Sequence, residues 1–198
     1  MEPLTIIFVG PQGSGKGTQI EKLDALLRTK YPTRQTVDFQ TGRRFRALAL
    51  RGEGYTEKML APTLDTGTLQ PLFLSVLLWA DAMSEHLDDQ RHALIDGFPR
   101  TVAEATVLES AFAFYNRKKV IVINLNTPEE VVRGRMIVRS RKDDTLESIE
   151  ARLKWYREET ISVLAYYKAR ASTQVIDIDG TRSIDEVHAE ILLALNIV

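Results

Sequence analysis

Cysteine is missing from all 198 residues, which removes structural disulfides and thiolate metal sites; no zinc is expected to stiffen any loop. Neither sign of charge prevails. The 26 Lys and Arg stand against 27 Asp and Glu, a net charge of -1, so the chain as a whole gives no reason to expect nucleic acid or an acidic membrane surface as partner. Long apolar runs are lacking too: the most apolar later segment, Pro71 to Trp79, is too short to span a bilayer. Met1 to Val9 carries an acid at Glu2 and a short apolar stretch, not the basic start and long apolar core of a secretory signal. A cytoplasmic location is the expectation. The three histidines, His86, His92 and His188, have no metal-ligand spacing and read as surface or strand-edge residues. What is present is ordinary globular material, 44% hydrophobic and 27% charged, enough for one α/β domain with a sizeable core.

Short apolar runs alternate with helical patterns along the chain. Leu4 to Val9, Thr36 to Phe39, His92 to Asp96, Val120 to Leu125 and Val175 to Ile178 read as strands. Between and after them, helices are expected over Lys16 to Arg28, Gly42 to Leu50, Thr56 to Asp65, Leu72 to Met83, Val102 to Tyr115, the segment opened by Thr127-Pro128-Glu129-Glu130, Leu146 to Arg170, and Ile184 to Leu195. Such alternation implies a doubly wound parallel sheet of five strands. The stretch 41–87 holds only helices between two strands. It is longer than a crossover needs, so it is expected to stand off the sheet as a substrate-binding insertion.

Gly10-Pro11-Gln12-Gly13-Ser14-Gly15-Lys16-Gly17-Thr18 lies between a buried strand and a helix, where a phosphate loop must lie. Its glycines let successive N–H groups converge on phosphate oxygens, the helix adds its positive end, and Lys16 supplies a point charge. Most such loops place a hydroxyl directly after the lysine; here Gly17 intervenes and the hydroxyl comes at Thr18. A second string, Asp96-Gly97-Phe98-Pro99-Arg100, ends a strand with an acid that can face a metal beside the loop and an arginine that can fork onto phosphate. Arg133, Arg135, Arg139, Arg141 and Arg152 come later in the chain, with Arg46 upstream. A solvated charged face is the bland account of such a run, but phosphoryl transfer gathers several negative charges and needs guanidinium groups around them.

Gly15 to Gln19 and Asp96 to Arg100 together resemble the adenylate kinase family, and the likeness runs nearly end to end. The resemblance implies a P-loop NTPase fold with a core of 1–40, 88–138 and 145–198, a nucleoside-monophosphate segment of 41–87 and a short lid of 139–144. It implies that Gly13, Ser14, Gly15, Lys16, Gly17 and Thr18 hold the ATP phosphates, with Arg135, Gly180 and Arg182 beside the adenine and Arg139 on the phosphates. On the acceptor side it implies Thr41, Gly42 and Arg46, the loop Thr68-Leu69-Gln70, the string Gly97-Phe98-Pro99-Arg100, and Glu104. Arg141 and Arg152 would reach across donor and acceptor. Lys16, Asp96, Arg100, Arg139, Arg141 and Arg152 would carry the transfer, with Mg2+ brought by ATP and met by Asp96 through water. A monomer is expected, with ATP and a nucleoside monophosphate as its small-molecule partners.

The chain departs from the family pattern in places. Only Ser140 separates Arg139 from Arg141, so the lid is minimal. Arg43 stands where the family usually has Asp, Gln70 where it has Val, and Glu104 where it has Gln. A carboxamide can accept from adenine N6 and donate to N1, whereas a carboxylate only accepts and suits the two donors of guanine. Thr41 points back toward adenine, since the family's uridylate branch tends to have Ala there; AMP is therefore expected as acceptor, with weakened discrimination against GMP, unless Glu104 simply turns to solvent. A kinase of UMP or CMP is the nearest alternative, disfavoured by Thr41, and a nucleotide-binding module without turnover is the alternative from another class.

Overall fold

Odd and even residues of the same strands go to different cores, and that alternation fixes the architecture. In the computed structural model, which describes residues 2–52, 54–139, 141 and 143–197, β1 (Thr5–Val9) is buried along its whole length. Ile7 and Val9 point into one apolar cluster, together with Ala93 and Ile95 of β3 (His92–Asp96) and Val120 and Val122 of β4 (Val120–Asn126). Ile6 and Phe8 point the other way, with Leu94, Ile121, Ile123 and Leu125. Period-two side chains that are apolar on both faces require a cover on both faces. The first cluster is closed by Trp79, Ala82 and Met83 of α4 (Leu72–His86), by Ala105, Leu108 and Phe112 of α5 (Val102–Phe114), and by Val163 and Tyr167 of α8 (Ile161–Lys168). Ile20, Leu23 and Leu27 of α1 (Lys16–Lys30) and Val187, Ile191 and Leu195 of α9 (Ile184–Leu195) close the second.

With β2 (Thr36–Gln40) and β5 (Thr173–Asp179) at the edges, the five-stranded sheet runs β2-β3-β1-β4-β5, and all its pairings are parallel. The register sets Asp96 beside both Phe8 and Gln40. The ends of β1, β2 and β3 thus lie level, and the loops after them share one edge. At β1 the connections diverge, with β2 and β3 on one side and β4 and β5 on the other. A crevice beyond the carboxyl ends of strands at such a divergence is where doubly wound sheets bind ligands.

Two smaller cores lie beside the sheet. Phe45 of α2 (Thr41–Arg51), Leu60 of α3 (Tyr55–Asp65) and Leu74 of α4 form one, while the far half of α4 enters the main core. The part of 41–87 with a core of its own is therefore α2, α3 and the start of α4. Val132 and Met136 of α6 (Glu129–Arg139) pack on Ile149 and Leu153 of α7 (Leu146–Trp155) to form the other.

The expected single helix from Leu146 to Arg170 is divided: a π turn, Tyr156–Thr160, separates α7 from α8. The wider turn rotates the face of α8 relative to that of α7, so Leu153 and Val163 enter different cores while Trp155, Tyr156 and Thr160 face the crevice. His92 is fully buried, not at the surface, with Nδ1 accepting from the Leu4 backbone N–H at 3.0 Å.

Candidate active site

An α-helix leaves its first backbone N–H groups without partners inside the helix, and side chains usually cap them. Thr101 caps α5, Thr145 caps α7, and Ser183 with Glu186 forms a reciprocal capping box on α9. The starts of α1, α2, α3 and α4 carry no side-chain cap, and that of α1 follows the glycine-rich loop. Gly15 at its N-cap has φ 98°, no side chain accepts from the first turn, and no acid lies in it. That end is electropositive and open to an anion. The loop before it comes close to α6: at Gly13, with φ 86°, an added Cβ would lie 2.8 Å from the Val132 carbonyl oxygen. Lys16 Nζ donates to the carbonyl oxygens of Gly10 and Pro11, each at 2.8 Å. Burial pushes its pKa from the ordinary lysine value down to about 8, opposed by Asp96 and reinforced by Arg100 and Arg139.

Across the strand ends lies the second string. Gly97, at φ 86°, lets the backbone approach Thr41, whose Oγ1 would lie 2.7 Å from any Cβ added there. Thr41 Oγ1 is itself buried with no hydrogen-bond partner among the described residues. Arg100 is held on every side. Its Nε donates to Gly97 O at 2.7 Å, its backbone N–H to Glu104 Oε2 at 2.7 Å, and its carbonyl accepts from Thr160 Oγ1 at 3.0 Å. The guanidinium lies 4.6 Å above the Trp155 ring, whose Nε1 in turn donates to Gly67 O.

These groups line one cleft of about 540 Å3. Every residue from Gln12 to Thr18 lines it, as do Gly42, Arg46, the whole string Asp96 to Arg100, Arg135, Arg139, Arg141, Gly180 and Arg182. With Arg43 added, eight basic side chains face the two acids Glu21 and Asp96, an imbalance that a net charge of -1 conceals. Arg135 donates to Gly180 O at 2.9 Å, and Arg182 pairs with Glu190. A smaller recess of about 170 Å3, which shares Arg100 with the cleft, is lined by Leu69, Gln70 and Glu104 together with Phe45, Leu72 and Ser75.

Other expected site residues lie elsewhere. Thr68 lines neither space; its hydroxyl faces Thr66 Oγ1 at 2.9 Å. Arg152 is buried and also lines neither, its Nη1 and Nη2 donating to Asp144 and Asp143 at 2.8 Å. Arg139 grips Asp144 through two hydrogen bonds of 2.9 Å, and the Arg141 backbone N–H adds a third donor. Burial opposes ionisation of Asp144, but Arg139 and its neighbours hold its pKa below the usual carboxylate value. Asp143 and Asp144 thus close onto arginines, and the cap of α7 falls to Thr145. Ser140 and Lys142 of the expected lid lie outside the described residues.

Glu104 does not turn to solvent: it is 2% exposed and accepts three hydrogen bonds. Trp155, Tyr156 and Thr160, which the sequence did not single out as site residues, also line the cleft. Their position shortly after Arg152 was the available signal. Asp96 lines the cleft beside the phosphate loop, and no group of three or more His, Cys, Asp or Glu among the described residues could hold a metal ion.

A parallel sheet whose first loop opens on an uncapped helix, facing arginines from three other elements, defines a class: P-loop kinases that phosphorylate nucleoside monophosphates. The sequence model of the family described as "Adenylate kinase" matches residues 8–172. An adenylate kinase of Corynebacterium urealyticum is 34% identical over 195 residues, covering 98% of this chain and 99% of the relative. One from a Cyanothece species is 36% identical over 190 residues, covering 94% and 92%, and one from Thermus thermophilus is 34% identical over 196 residues, covering 97% of each. The chain belongs to the adenylate kinase family.

Proposed function

We propose that the protein transfers the γ-phosphoryl group of ATP to AMP, giving two molecules of ADP, in the cytoplasm. The observation that carries this reading is the meeting, in one cleft, of an uncapped helix start with arginines from α2, α5's leading loop, α6 and the segment after it. In this reading the ATP phosphates lie on the backbone N–H groups of residues 13–18, and Lys16 exchanges its two carbonyl acceptors for phosphate oxygens. Arg46 and Arg100 receive the acceptor α-phosphate, and Trp155 beneath Arg100 fixes the plane of its guanidinium. Arg139 and Arg141 come from the other bank. An oxygen of that α-phosphate attacks the γ-phosphorus in line as the bond to the β,γ-bridging oxygen breaks. The charge that spreads over the transferred group is met by Lys16 and the arginines, without any covalent intermediate on the protein.

Mg2+ carried by ATP would neutralise part of the phosphate charge, with Asp96 holding its water shell. A carboxylate that meets the metal through water fits an ion that keeps several waters and takes most of its ligands from the nucleotide. The alternative of a module without turnover is tested directly. Purified protein mixed with Mg-ATP labelled at the γ-phosphate and AMP should yield ADP from both nucleotides, half of it labelled in the new β-phosphate. Binding of ATP without appearance of labelled ADP would overturn the reading.

A further inference from the structure

Glu104 Oε1 receives two donors, Ser75 Oγ at 2.5 Å and Trp79 Nε1 at 3.1 Å, and Oε2 receives the Arg100 N–H at 2.7 Å. A carboxylate oxygen has about two acceptor positions, so Oε1 is filled and Oε2 keeps one. The group therefore has one acceptor position left, not the pair that two adjacent N–H groups of a guanine edge would need. Gln70 lines the same recess. Its Nε2 donates to the Thr68 carbonyl at 2.9 Å, and its Oε1 lies 2.9 Å from Thr63 Oγ1. The carbonyl of Thr68 can only accept, which fixes the orientation of the amide and leaves one Nε2–H to spare. Phe45, Leu69 and Leu72 supply apolar walls. The recess thus has apolar walls, one open acceptor position on Glu104 and one open donor on Gln70; Thr101 and the exposed Glu159 complete its lining, and it adjoins the cleft at Arg100.

We infer that Gln70 and Glu104 together read the acceptor base, Glu104 Oε2 accepting one amino N–H and Gln70 Nε2 donating to the bare ring nitrogen beside it. This rests on the reading of the protein as an AMP kinase and deepens it. Adenine presents that edge: N6–H beside N1. Guanine in the same pose would turn O6, an acceptor, to Glu104 Oε2 and N1–H, a donor, to Gln70 Nε2, so both contacts would be mismatched. A site whose polar groups are matched to one edge rejects the mismatched edge strongly. The three fixed donors on Glu104 thus reverse the expectation from sequence: discrimination against GMP is kept, because the carboxylate is largely spent on Ser75, Trp79 and Arg100.

The test is steady-state kcat/KM for AMP, for 1-deaza-AMP (which has C–H in place of N1) and for GMP, in the wild type, Gln70→Leu and Gln70→Val. The wild type should lose on the order of tenfold on going from AMP to 1-deaza-AMP. In the Gln70 variants AMP should fall by about that factor, and 1-deaza-AMP should become as good as AMP. GMP should be on the order of a hundredfold or more poorer than AMP in the wild type. A ratio of AMP to 1-deaza-AMP that persists in folded Gln70 variants, or equals one in the wild type, overturns the inference while leaving the kinase reading intact. GMP within tenfold of AMP overturns it too. An inert AMP beside bound ATP would sink the kinase reading itself. The wild-type nucleotide series needs no variant, so a substitution that failed to fold would still leave the inference exposed to refutation.

Discussion

The two banks of the cleft are built from different materials. On the bank of the phosphate loop, the groups proposed to bind anions are backbone N–H groups at the start of α1, fixed by the strand before and the helix after, with Lys16 the added side chain. On the opposite bank they are arginine side chains, and two already have acids beside them: Arg139 is held by Asp144 and Arg46 lies within 4.0 Å of Asp143, while Arg152, behind the lining, is held by both acids. Backbone donors on a buried strand-loop-helix unit need no rearrangement to meet phosphate. Guanidinium groups paired with carboxylates must exchange one anion for another. The first bank is preorganised and the second is exchangeable, which is what closure over two nucleotides demands.

Removing the side chain that completes the rigid bank should have the largest effect. Lys16→Met keeps a long apolar stem but removes the charge, and kcat should fall on the order of a thousandfold or more. The thermal midpoint should stay within a few degrees, since the lysine's own bonds go to two loop carbonyls and its removal also removes a charge that burial disfavours. Coupled assay and calorimetry on the same preparation check both halves. Undiminished turnover would remove Lys16 from the mechanism and leave the preorganised bank as backbone alone.

The exchangeable bank should show itself in stability more than in chemistry. Asp144 has a side chain 0% exposed and takes donors from Arg139, Arg141 and Arg152, while Arg152 is itself 6% exposed. Asp144→Asn leaves a buried arginine with part of its compensation gone, which costs about 3 kcal/mol and lowers Tm by roughly 6–12 °C. Because Asp144 is held below the usual carboxylate range, its contribution is present above the unfolded-state value and lost as pH falls through the folded one. The difference in Tm between wild type and variant should accordingly narrow in acid. Equal midpoints at neutral pH would mean that the acids contribute nothing to holding this bank.

The same contrast explains what could be read without coordinates. Strands such as Thr5–Val9 and His92–Asp96 are apolar almost throughout and end at glycine, so their place in a parallel sheet follows from local pattern. The phosphate loop is equally local: its residues adjoin in sequence and act through their backbone. The arginine bank was legible as a set of residues, but not as an arrangement. Nothing near Arg152 in the chain says that it turns from the cleft to Asp143 and Asp144, because that choice depends on the segment joining α6 to α7. Glu104 was visible as an odd residue, yet two of its three donors come from positions 75 and 79, and only the packing of α4 on α5 brings them to it. The π turn at Tyr156–Thr160 leaves no mark on apolar spacing, so the approach of Trp155 to Arg100 could not be read either.

The mildest test sharpens the comparison at Lys16 itself, through pH. Its pKa of about 8 arises from burial beside the positive Arg100 and Arg139, only partly offset by Asp96. In the free enzyme the ammonium is therefore lost as pH rises through about 8, and the preorganised bank loses its side-chain charge. Bound ATP phosphates favour the protonated form and raise the pKa in the complex. Since kcat/KM reports the free enzyme and kcat the complex, kcat/KM for Mg-ATP should decline above about pH 8 while kcat holds to higher pH. One pH unit above the pKa the decline should be about tenfold, and smaller nearer to it. Lys16→Arg, which stays charged throughout, should lack that limb whatever its absolute rate. A limb that survives in Lys16→Arg would assign the titration to another group and show that the rigid bank is electrostatically silent to pH.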